Sequence, residues 1–162
     1  MKRSVLAALG LALLASSASA QGPVGGQNQP PDQWVMNCNT ERGRDCTVSA
    51  MIDGGSDNLL GTFLILSYSV AYTTLSVVVD GYGQRAAMQV DGNPFITTSS
   101  CTGNACSFEQ GNSSQLVQEM LTGSRISVQA STQSDSMVGP LKQSLKGFAE
   151  QYQRAVQAQQ AR

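Results

Sequence analysis

The side chains best suited to chemistry in this chain are four cysteines, Cys38, Cys46, Cys101 and Cys106. The last two bracket "TGNA" in "CTGNAC", and the first two bracket "NTERGRD". Thiols so placed can ligate a metal, exchange electrons or close disulfides. A zinc site built from all four would use C-x7-C and C-x4-C spacings, which lack the close knuckle on one side. A thioredoxin-type redox pair needs the C-x-x-C spacing, which neither pair has. An even cysteine count in an exported chain reads first as a disulfide framework, and four cysteines allow three connectivities. Cys38–Cys46 and Cys101–Cys106 are favoured, since each pair brackets a polar turn that can bring its ends together. Each bridge is expected to add roughly 2–3 kcal/mol by loop-closure entropy.

Export is read from the first twenty residues. Lys2 and Arg3 precede the small-and-apolar run Val5 to Ala15, and Ala18-Ser19-Ala20 supplies the small-residue pattern for cleavage after Ala20. Residues 1–20 are therefore predicted to be a signal peptide. Gln21 to Gln33 is a Gly/Pro/Gln leader with little to bury, and 34–162 is one domain. The expected location is the periplasm, or a secreted or outer-surface-associated state. The mature chain is expected to carry no transmembrane anchor.

Other catalytic chemistry has little to draw on. Histidine is absent, which removes the commonest general base and metal ligand. A hydrolase would need paired carboxylates or a Ser/Lys dyad. The acids nearest the predicted hairpin ends are Asp80, Asp91 and Glu109, two of them turn formers and one a flanking surface charge. No enzyme activity, metal or cofactor is expected. Loss of Lys2 and Arg3 takes the formal net charge from −1 to −3, and the remaining bases are scattered. That pattern argues against nucleic acid as a partner. An envelope or host-surface protein, glycan or lipid remains as the class of partner. The loops 39–45, 53–58 and 131–140 are the candidate contact regions.

The elements that would position these residues are mostly strands. Asn58 to Val79 carries no charge over its whole length, but its hydroxyl, β-branched and aromatic residues favour strands over a membrane helix. Two strands are predicted, 62–70 and 74–79, central in their sheet and joined near Tyr72-Thr73. Further strands are read at 34–38, 46–52 and 125–130. Asp80-Gly81 and Asp91-Gly92 suggest tight hairpin turns in an antiparallel meander. Leu116, Val117, Met120 and Leu121 lie at helical spacing within 112–123, with Asn112 or Ser113 as cap and Gly123 as a left-handed terminator. Residues 131–140 read as a polar loop. Leu145, Phe148, Tyr152 and Val156 then form the apolar stripe of a terminal helix over 145–158 that frays beyond Ala155. The expected fold is mainly β: an antiparallel, sandwich-like single domain with one short internal helix, a C-terminal helix and two local disulfides.

The ordered set of "WVMNC" with a second cysteine eight residues on, "VDG" ahead of "CTGNACSF", then a helix, a strand and "SLKGFA" is similar to the invasion-associated locus B family of exported bacterial proteins. The resemblance covers about Trp34 to Ala155. It departs where members carry a Pro-Gly segment before the "VDG" turn, since "SYSVAYTTLSVVVDG" holds no proline. The resemblance implies an envelope or secreted β-sandwich-like protein of Gram-negative bacteria. It also suggests a link to host-cell invasion, and it carries no catalytic residues over. An envelope assembly factor that docks a partner through helix 145–158 is the alternative.

Overall fold

The computed structural model describes residues 33–39, 45–53, 63–79, 81–133 and 137–161. The expected signal peptide, and all of the leader but Gln33, lie outside these residues. Ten strands and two helices follow in the order β1 (Val35–Asn39), β2 (Asp45–Asp53), β3 (Phe63–Ser69), β4 (Thr74–Val79), β5 (Gly83–Val90), β6 (Ile96–Thr97), β7 (Ser100–Thr102), β8 (Ala105–Ser107), α1 (Gln110–Thr122), β9 (Arg125–Thr132), β10 (Met137–Ser144) and α2 (Phe148–Gln160). They form a six-stranded sheet, β1-β2-β3-β4-β8-β7, and a four-stranded sheet, β10-β9-β5-β6. Every strand pairing is antiparallel. The fold is thus mainly β with one internal and one C-terminal helix, as the sequence predicts.

Period-two patterning makes the inner faces. Val48, Ala50 and Ile52 of β2, Leu64, Leu66 and Tyr68 of β3, and Leu75, Val77 and Val79 of β4 are buried and lie in register. From the second sheet, Ala86, Met88 and Val90 face Ala130, Val128 and Ile126. All of these side chains join one core cluster with Leu116, Val117 and Met120 of α1 and with Phe148 and Ala155 of α2. β3 and β4 are central in the larger sheet, as expected for the uncharged run. Among the described residues, no helix is long and apolar enough to cross a membrane.

Several local expectations are corrected. The chain from β4 to β5 makes no hairpin: it crosses from one sheet to the other, and β5 pairs with β9 and β6. The expected loop 131–140 is largely strand. β9 runs through Thr132, and β10 starts at Met137, carrying Val138 and Gln143 inward. A register shift between Val138 and Leu141, around Gly139-Pro140, breaks the alternation that would have marked this strand. The terminal helix begins at Phe148, after a turn at Gly147 (φ 87°). Leu145 is still buried, but from the preceding turn, where its N–H donates to Ser124 O (3.0 Å). The helix also continues past Ala155 to Gln160, and near its end Gln159 Oε1 accepts from Cys46 N (3.1 Å).

The first helix has its N-cap at Glu109 and contains Asn112 and Ser113. Ser113 is fully buried, and its Oγ accepts from Leu75 N (3.1 Å), so it ties the helix to β4. Gly123 is extended (φ −82°, ψ 174°) and not left-handed. Glycine is required there by close approach, since a Cβ would stand 2.5 Å from Val90 Cγ1 and 2.9 Å from Asp91 Oδ2. Gln143 is buried with neither amide atom hydrogen-bonded, at a cost of about 1–3 kcal/mol for each.

Candidate functional site

The cysteines close two disulfides, Cys38–Cys46 and Cys101–Cys106, and none is free. Both bridges link directly paired residues on neighbouring strands, Cys38 with Cys46 across β1–β2 and Cys101 with Cys106 across β7–β8. The four thiols therefore form no common metal site. The second bridge stands where the two sheets meet. Asn104 O and Gly103 O, at the tip of "CTGNAC", accept from Val79 N (2.9 Å) and Gly83 N (3.0 Å), which flank the crossover. Gly83 is buried against the bridge, and a Cβ there would lie 2.7 Å from Cys106 Sγ. The motif is a clamp on the passage between sheets.

Of the three acids, Asp80 lies outside the described residues. Asp91 (φ 46°) and Gly92 (φ 86°) form the centre of a tight turn closed by Asn93 N to Val90 O (2.9 Å), as Asp-Gly favours. The Asp91 carboxylate accepts from Ser124 N (2.7 Å) and Arg125 N (2.9 Å), so it seats the start of β9. Glu109 is the N-cap residue just before the 13-residue α1, and Asp91 lies beside the other end, about 20 Å away by helix rise. The fold does not bring these two carboxylates together.

Among the described residues, a concavity lies on the outer face of the four-stranded sheet. It is a cleft of about 640 Å³ lined by Arg85, Gln84, Gln129, Ser131 and Met137, with Ala87 among its lining residues. Antiparallel pairing builds it: Arg85 lies opposite Ser131, which lies opposite Met137, while Ala87 lies opposite Gln129. A register shift between Gly83 and Arg85 leaves both Gln84 and Arg85 exposed. Ala87 is only 6% exposed although its neighbours on that face are polar, as befits a floor position. Chemically, the cleft offers one cation, two amides and a hydroxyl above a small apolar base.

Of the expected contact loops, 131–140 therefore contributes Ser131 and Met137 to this cleft, and residues 134–136 lie outside the described set. A second hollow of about 350 Å³ is lined by Asn37, Asn39, Asp45, Thr47 and Tyr72 and adjoins the ends of loop 39–45. Its one acid is already engaged, since Asp45 accepts from Ser69 Oγ (2.8 Å) and Ala71 N (3.1 Å). Residues 40–44 and 54–58 are not described, so the loops 39–45 and 53–58 are seen only at their ends. Arg85 and Gln129 were not singled out from sequence. They meet through β5–β9 pairing, which no local pattern announces.

Comparison of the chain with protein-family models, with curated proteins and with solved structures finds no match in any of the three.

Proposed function

We propose that this is an exported, non-enzymatic binding protein of the bacterial envelope, of the invasion-associated locus B type. Its contact surface is the outer face of the four-stranded sheet, and its role extends to host-cell contact. The observation that carries the reading is the open cleft around Arg85 and Met137, held on a scaffold stapled by two disulfides. Two closed bridges suit an oxidising compartment, and concave surfaces on rigid elements are where ligands are taken. Docking through 145–158 is disfavoured, since Phe148 and Ala155 are buried in the core and Phe148 packs on Trp34 at 4.8 Å.

The test is photo-crosslinking in intact cells from a reactive residue placed at position 137, where Met137 is 64% exposed, combined with fractionation. A discrete crosslinked species in the periplasmic or surface fraction is expected. Recovery of the protein from the cytoplasm, or no crosslink above that from a reactive residue at position 154, would refute the reading.

A further inference from the structure

Charge on the strands is divided between the two sheets, although the Asp91 carboxylate of the adjoining turn lies at the Arg125 end of the smaller one. Among the described strand residues, the acids Asp45 and Asp53 belong to the six-stranded sheet, and the bases Arg85, Arg125 and Lys142 belong to the four-stranded sheet. All three bases are exposed on the outer face. Arg85 pairs opposite Ser131, Lys142 opposite Ser127, and Arg125 opposite Ser144. Ile126, Val128 and Ala130 point into the core between these positions. With about 3.4 Å of rise per strand residue, Lys142 lies about 14 Å and Arg125 about 20 Å along the sheet from the Arg85 row. The Arg85 row also carries Ser131, the Lys142 row Ser127 and Gln89, and the row between them Gln129.

We propose that this face is a track for an acidic polysaccharide, with Arg85 holding one carboxylate in the cleft and Lys142 and Arg125 meeting carboxylates further along the same chain. The proposal rests on the binding reading above and names its ligand class. A ligand that reaches all three cations must be extended, which a small molecule in the cleft alone is not. The complementary surface is a polymer that carries spaced negative charge and is otherwise rich in hydroxyls. Serine hydroxyls and glutamine amides both donate and accept to sugar hydroxyls. Arg85 offers its planar fork to a carboxylate in bidentate fashion. Nucleic acid fits less well, because β5, β9 and β10, which carry the three bases, hold no aromatic residue for base stacking. An anionic membrane fits less well too, because the bases are spread along the sheet and Met137 is the one large exposed apolar side chain on β5, β9 and β10.

The experiment titrates the full disulfide-bonded protein with oligogalacturonate, dextran, phosphatidylglycerol vesicles and single-stranded DNA at low ionic strength, where charge attraction is least screened. Oligogalacturonate should bind, added salt should weaken it, and dextran should not bind. Arg85→Gln should weaken binding by about three- to tenfold, and Lys142→Gln or Arg125→Gln by about two- to fivefold. Arg154→Gln, on the exposed side of α2, should leave binding unchanged. These side chains are exposed, so each variant should keep the thermal midpoint of the parent. The proposal is overturned by absent oligogalacturonate binding, by equal binding of dextran, by tighter binding of vesicles or DNA, or by an equal effect of Arg154→Gln. A crosslink from position 137 that persists while oligogalacturonate fails to bind would overturn this ligand class alone and leave the binding reading standing.

Discussion

Tyr68 sits in the core beside Tyr152, with ring centroids 5.8 Å apart. Burial, then the charge and hydrogen bond of the Tyr152 phenol, push its pKa up to about 12. Its ordinary value is about 10, so above that pH the unfolded chain releases a proton that the folded protein keeps. The stabilisation from keeping Tyr68 neutral is complete below about pH 10 and is lost as pH rises towards about 12. Denaturation free energies measured across that range should fall with pH, and Tyr68→Phe should fall less steeply. Equal slopes in the two proteins would show that Tyr68 has no part in the alkaline loss. Residue identity alone was informative where local geometry decides: Asp-Gly foretold the left-handed turn at Asp91-Gly92, and an even cysteine count foretold two bridges. It misled at Gly123, where the requirement for glycine comes from Val90 and Asp91, which are distant in sequence.

Among the elements, the β7–β8 hairpin is the joint of the molecule. Its tip accepts hydrogen bonds from Val79 and Gly83 on either side of the crossover, and its disulfide packs on Gly83. Gly83→Ala would drive a methyl into Cys106 Sγ, which the bridge holds in place. A loss of about 1–3 kcal/mol is expected in urea denaturation, the range for overpacking a dense core. A variant as stable as the parent would mean that the two sheets are not pressed together at this point. Elements with clean periodicity were legible from sequence: β2, β3, β4, β9 and the apolar side of α1. β10 was not, because Gly139-Pro140 interrupts its alternation and its inward positions include the polar Gln143. The start of α2 was misplaced because Leu145 shares the apolar stripe but is buried from a turn.

At the scale of the whole molecule, both sheets and both helices contribute to one core, so none of the described elements has a separate interior. The single tryptophan, Trp34, stands just before β1 and touches β10 and α2: its indole N–H donates to Ser144 O (2.8 Å), and its ring packs on Phe148. Under denaturant, Trp34 fluorescence and far-ultraviolet circular dichroism should therefore share one midpoint, the mark of two-state unfolding. Separated midpoints would show that the α2 corner melts independently of the sheets. The sequence by itself determined the mainly β class, the two bridges and the central place of the uncharged strands, because periodicity, turn chemistry and cysteine spacing act over short distances. Only the tertiary structure decided how those strands divide between two sheets, that the cysteine hairpin clamps the crossover, and that Arg85, Lys142 and Arg125 share one face. Those outcomes depend on long-range register, in which a partner strand is chosen by the fit of a whole buried surface and not by the residues next to it in the chain.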